Sequence, residues 1–149
     1  MKSEPDTYSI DDLRRDGHTC WEGVRNYQAR NFMRDDMAVG DQVLFYHSRT
    51  KPPGVVGLAT VTRAGYVDHF ALDPDHPYFD AKSKPDAPRW VMVDIGWAET
   101  FPTLVSLAVL KDDPALDGML VARKGQRLSV QPVDPEHFAR VVELGRTAD

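Results

Sequence analysis

VGDQVLFYHSRTKPPGVVGLATVTRAGY, Val39 to Tyr66, is the stretch that decides the fold class of this chain. A Gly40-Asp41 turn feeds a run rich in β-formers, and after Pro52 and Pro53 the β-branched residues resume in a second strand. Gly54 and Gly57 inside that second run predict a bulge or a close backbone approach. Further on, WVMVDIGW (90–97) is again strand-like, and TLVSLAVL (103–110) reads as a strand running into a short helix at Ser106. RLSVQPV, from Arg127, is expected as a last strand with Pro132 at its end, where a missing donor does least harm. Asp134 then caps a final helix with Pro135 at its first position and Gly145 as its stop.

Toward the N-terminus, Ser9 followed by IDDLRRDG predicts a capped helix, with Asp11 and Asp12 in its first turn and Gly17 ending it. A second helix starts near Asn26. Its apolar residues Ala29, Phe32, Met33 and Met37 fall at helical spacing, and Tyr27, Arg30, Asn31 and Arg34 share the other face. Between Asp68 and Pro88 the composition shifts to Asp, Pro, His and Lys, one long excursion of the kind that is functional or mobile in compact domains. Short strands interleaved with short helices lack the regular alternation of a doubly wound sheet. They predict an α+β fold with a curved, barrel-like sheet decorated by helices.

The 149 residues fit a single domain, 1–149, and 42% hydrophobic with 28% charged residues speaks against both a disordered chain and a membrane protein. The acidic start MKSEPDTYSIDDL is unlike a secretory signal, and a cytoplasmic location is expected. Cys20 is the only cysteine, which excludes an internal disulfide or a thiolate metal cluster and predicts a small buried residue beside Trp21. With 18 basic against 23 acidic side chains, any site for a polyanion must be local.

No phosphate-cradling glycine loop is present, and His18, His47, His69, His76 and His137 show no ligand spacing, so neither a cofactor nor a metal is predicted. DPDHPYFD offers Asp73, Asp75, His76 and Asp80, but its prolines mark a turn-rich loop more than a metal cage. His47 and Ser48 are neighbours on a strand and point to opposite faces, and no spaced carboxylate pair suggests a general acid and base. No catalytic residue is therefore assigned.

WEGVRNYQARN, Trp21 to Asn31, is different. Taken singly, Trp21 and Tyr27 read more readily as core or rim aromatics, and the arginines as solvated. Together they match what a pocket for a planar heterocycle needs, namely a flat apolar wall, amides that read the ring edge, and cations if the ligand carries phosphate. Trp21, Asn26, Gln28 and Asn31 supply the first two, and Arg25, Arg30 and Arg34 the third.

KSEP at Lys2, WEGVRNYQARNFMR at Trp21, FYHS at Phe45, PPGVVGLA at Pro52, PRWVMVD at Pro88 and RLSVQPV at Arg127 together resemble the EVE domain, in order and over nearly the whole chain. The resemblance implies a PUA-like curved β-barrel with peripheral short helices, related to the YTH and SRA readers of modified bases. It also implies binding to nucleic acid, DNA rather than RNA, that carries 5-methyl- or 5-hydroxymethylcytosine, with a flipped base in an aromatic pocket. By that similarity Ser3 and Trp21 sit at the pocket, and Asn26, Tyr27, Gln28, Arg30, Asn31, His47 and Ser129 line or approach it. Flanking phosphates fall to Arg25, Arg30 and Arg34. Two other readings stand beside it: an enzyme acting on a nucleobase or nucleotide in the same pocket with His47 as proton carrier, and a protein-interaction module using the 68–88 loop. One departure is that KSEP follows Met1 directly, where the family carries a few apolar residues of a first strand. Either the barrel is short by a strand end, or the true start lies upstream and Met1 is internal; a truncated strand is expected to leave Ser3 loosely held.

Overall fold

The computed structural model describes residues 1–123 and 128–147. In chain order the elements are β1 (Lys2–Ser3), α1 (Ile10–Asp16), β2 (His18–Trp21), α2 (Tyr27–Asp35), β3 (Gln42–His47), β4 (Gly54–Val67), β5 (Val91–Ser106), α3 (Leu107–Asp112) and α4 (Pro135–Arg146). Short 3-10 turns lie at His69–Leu72, Pro114–Leu116 and Leu120–Ala122. The strands form one five-stranded sheet in the order β1-β3-β4-β5-β2. β1 runs parallel to β3, and the other neighbours are antiparallel.

β3 and β4, the pair expected from the Val39–Tyr66 stretch, hold the centre, with Val43 opposite Ala59 and Leu44 opposite Leu58. β3 is apolar on both sides, so both faces of the sheet must be covered. Val43 and Phe45 join one core with Ile10 and Leu13 of α1 and Ala29 and Met33 of α2, whereas Leu44 and Tyr46 join a second with Leu110 of α3 and Val141 of α4. β5 serves both cores, through Val93 and Ile95 in the first and Phe101 and Val105 in the second. The two segments 90–97 and 103–106 thus belong to one strand. Gly57 does both things expected of it. The β4–β5 register slips between Val55 and Gly57, and a Cβ there would stand 2.2 Å from the Glu99 carbonyl oxygen.

The helix signals act locally. Ser9 and Asp12 form a reciprocal capping box at α1, and Gly17 ends that helix at φ 82°. Asn26 Oδ1 accepts from the Gln28 and Ala29 N–H groups at 2.8 and 3.1 Å, which starts α2 where expected. Ser106 caps α3 by accepting from Val109 N–H.

Three expectations are corrected. Gly145 does not stop α4, which continues to Arg146; a Cβ at position 145 would lie 2.2 Å from Phe101 Cδ2, so glycine is there to admit an aromatic ring. Residues 128–133 form no strand, and Arg127 lies outside the described residues. Lys2 N–H donates to the Ser129 carbonyl at 2.8 Å, but Gln131 turns its side chain back onto the Leu128 carbonyl, and Pro132 and Pro135 bring no N–H to extend a ladder. Nor is Ser3 loosely held. Its carbonyl accepts from Ser48 N–H at 2.9 Å and its hydroxyl donates to the Tyr8 carbonyl at 2.5 Å.

The 68–88 excursion is tied down by its own acceptors. Asp73 accepts from Asp75 N–H, His76 Nδ1 from Tyr78 N–H, and Asp80 from both Lys82 N–H and Trp90 Nε1–H. The side chains of Asp73 and His76 therefore serve turn geometry, and that of Asp80 also holds the Trp90 indole.

His47 Nε2 accepts the Ile10 N–H at 3.1 Å, so a neutral imidazole satisfies the first turn of α1. Burial holds its pKa below the ordinary 6.5, against the opposing pull of Asp11. With the unfolded-state value above the folded one, the unfolded chain binds the extra proton first. The contribution of His47 is complete above about pH 6.5 and is lost as pH falls through the folded value. We expect the stability difference between the wild type and His47→Gln to shrink across that window in urea titrations at stepped pH; a constant difference contradicts the assignment. We also expect Gly145→Ala to destabilise by about 1–3 kcal/mol through overpacking against Phe101, although alanine is the better helix former. A rise in melting temperature would show that Phe101 does not seat there.

Candidate functional site

β1 and β2 are the two edges of the sheet, and its curl brings them to either side of one cleft of about 420 Å³. Lys2 and Ser3 line it from β1, Thr19, Cys20 and Trp21 from β2, and Ser129 from the segment that leads into α4, with Glu22, Gly23 and Tyr78 completing the rim. The β2–β5 register shows what the second edge offers. Trp97 N–H donates to the Gly17 carbonyl at 2.9 Å, which makes His18–Gly96 a non-hydrogen-bonded pair. By alternation Cys20–Asp94 is another, so the Cys20 N–H and C=O point away from β5, toward the cleft that Cys20 lines.

Trp21 is half-buried and stands edge-on to Phe45, centroids 5.8 Å apart, with part of its indole on the cleft. Around it the polar groups are partly engaged. Tyr8 donates its hydroxyl to Asp16 at 2.8 Å, and burial together with that bond pushes its pKa up to about 12. Cys20 is half-buried rather than buried, and its Sγ–H lies 3.2 Å from Glu22 Oε2. Desolvation first, then Glu22, pushes the thiol up to about 11, so it stays protonated and is a poor nucleophile near neutral pH.

The outer wall comes from the excursion. Asp68 is fully buried and accepts from Gly23 N–H, Phe70 N–H and Arg25 Nη1, the last at 2.9 Å. Arg25 Nη2 donates to the Tyr78 carbonyl at 2.6 Å, and its guanidinium lies against the Tyr78 and Trp90 rings. Gly23 has φ 81°, and a Cβ on it would come 2.7 Å from the Tyr78 ring. The tyrosine therefore packs directly on backbone only two positions from Trp21.

The sequence-expected residues divide in two groups. Ser3, Trp21 and Ser129 line the cleft together. The rest lie beside or behind it. Asn26 caps α2, Gln28 and Asn31 are exposed on that helix, and Tyr27 stacks on Trp90 at 4.9 Å. Arg30 donates to the Arg89 carbonyl at 2.8 Å and to Asn31 Oδ1 while lying 4.6 Å from the Tyr27 ring centroid. Arg34 is exposed and paired with Asp35, and His47 sits under α1. Sequence reasoning missed Thr19, Cys20, Glu22 and Tyr78 as lining residues. The strand character of 18–21 is the signal for the first two; nothing local announces Tyr78, whose carbonyl meets Arg25 across 53 positions.

Among the described residues no helix is long and apolar enough to cross a membrane. The sequence profile of the EVE domain matches residues 1–144. Human thymocyte nuclear protein 1 is 39% identical over 164 aligned positions, spanning 97% of this chain and 72% of that protein. A solved Pseudomonas putida protein shares 50% of residues at a TM-score of 0.93, covering 97% of this chain and 96% of that one. The crystal structure of human THYN1 protein in complex with 5-methylcytosine containing DNA matches at a TM-score of 0.92 and 38% identity, over 100% of this chain and 97% of the other. The α+β fold shared with these solved structures and the profile that spans residues 1–144 agree: the chain belongs to the EVE domain family.

Proposed function

We propose that this protein is a reader of modified bases, which takes one base extruded from DNA into the cleft between β1 and β2 and leaves it unchanged. The observation that carries the proposal is the half-buried indole of Trp21 lining that cleft beside the outward-facing backbone of Cys20. The fold shared with the 5-methylcytosine-bound human protein supports the choice of ligand class. In this reading Ser3 and Ser129, which line the cleft on the β1 side, approach the ring edge. Extrusion costs a few kcal/mol and stacking returns roughly 1–3 kcal/mol, so edge contacts must supply the surplus. A binding role without turnover fits the side chains at hand: His47 is committed to the Ile10 N–H, and the Cys20 thiol is held protonated.

In this proposal the face of α2 beside the cleft follows the phosphate backbone through Arg30 and Arg34, with Tyr27, Gln28 and Asn31 between them and Asn26 holding the helix start. Arg25 has another task, because its charge is spent on buried Asp68 and its second nitrogen holds Tyr78 against the cleft.

A binding screen of oligonucleotides that differ only in the modification of one cytosine, at fixed ionic strength, tests the proposal. Trp21→Ala should weaken binding to the preferred oligonucleotide about tenfold or more while the circular dichroism spectrum is retained. Unchanged affinity would move the base elsewhere. Arg30→Ala should weaken binding to every sequence and lower the salt slope by about 1, whereas Arg25→Ala should weaken binding with the slope intact. A slope that drops equally in both variants would put Arg25 on a phosphate.

A further inference from the structure

Two carboxylates line the cleft, and they are differently engaged. Glu4 is paired with Arg49 at 3.3 Å. Glu22, half-buried and next to Trp21, accepts from the Cys20 thiol at 3.2 Å, and among the described residues no lysine or arginine pairs with it. Nearby acids are otherwise occupied. Asp16 receives Tyr8 and Arg15, and Asp94 receives the Tyr66 hydroxyl. A thiol is a weak donor, and an ionised carboxylate accepts only, so Glu22 retains lone pairs in a partly desolvated cleft and favours a ligand that brings N–H groups.

We infer that Glu22 makes the cleft select cytosine over thymine and uracil, its carboxylate accepting the exocyclic N4 amine of the extruded base. The inference rests on the proposal that the cleft takes such a base. Cytosine presents an N–H donor at C4, where thymine and uracil present a carbonyl oxygen that would face the carboxylate acceptor to acceptor. A substituent at C5 leaves N4 in place. Glu22 therefore sets the identity of the base, and sensitivity to the C5 group has to arise from other contacts in the same cleft. The thiol of Cys20 has a positioning role, holding one carboxylate oxygen and leaving the other for the base.

5-Methylcytosine and thymine allow a direct test, because they share the ring and the methyl group and differ at C4 and N3. Two oligonucleotide duplexes carrying one or the other opposite an abasic site remove pairing differences, and a third with no base at the target position sets the baseline. The wild type should prefer 5-methylcytosine over thymine by about tenfold or more. Glu22→Gln, whose amide can turn either a donor or an acceptor toward C4, should bring that ratio close to parity, and Glu22→Ala should do the same without a polar group. If both variants keep the wild-type ratio while the wild type still binds the 5-methylcytosine duplex above baseline, the role of Glu22 is overturned and the reader proposal survives. If the wild type binds all three duplexes equally, the reader proposal falls and the inference falls with it.

Discussion

A sheet that curls without closing has two edges, and the free backbone groups along them are the constraint on which this molecule is built. β1 settles its side by pairing with β3 and by donating from Lys2 to Ser129. β2 settles only half of its own: alternate residues bond to β5 and the others, Cys20 among them, face outward. A closed barrel would have satisfied those groups internally and left no cleft. The opening is thus a property of the topology, and the indole of Trp21 at the last residue of β2 is where an apolar wall meets outward-facing polar backbone.

Asp68 is the second organising element. It is a charged group without solvent contact, tolerable because three N–H donors converge on it from Gly23, Arg25 and Phe70. Those donors come from the segment after β2 and from the start of the excursion, so one carboxylate joins the edge of the sheet to the loop that carries Tyr78. Arg25 completes the link by holding the Tyr78 carbonyl. What composition alone marks as an irregular loop is fixed relative to the cleft by a buried ion pair.

Much of the architecture was legible because its signals are local. Ser9, Asp12, Gly17, Asn26 and Ser106 mark helix ends through hydrogen bonds to residues within four positions, and the unbroken apolar run of β3 reports burial on both faces directly. The misreadings share a cause. Gly145 resembles a helix stop until Phe101 is known to lie on it, and 128–133 has strand composition but receives a single described backbone bond from β1, at Ser129. The site divides the same way. Ser3, Trp21 and Ser129 were found as cleft residues through family motifs, and the wall built by Tyr78 depends on contacts between segments far apart in sequence. The arginines illustrate the limit: residue type suggests a cation for phosphate, but only the partners distinguish Arg25, bound to buried Asp68, from exposed Arg34.

β5 has a mechanical consequence. Its sixteen residues pass through both hydrophobic cores, and its N-terminal half is the sole sheet partner of β2 among the described residues. Neither core can come apart without disturbing the strand the other depends on, so the molecule should melt in one cooperative step. Whatever occupies the seam is then coupled to the integrity of the entire chain, and occupancy registers as added thermal resistance of the whole body rather than local stiffening at its rim.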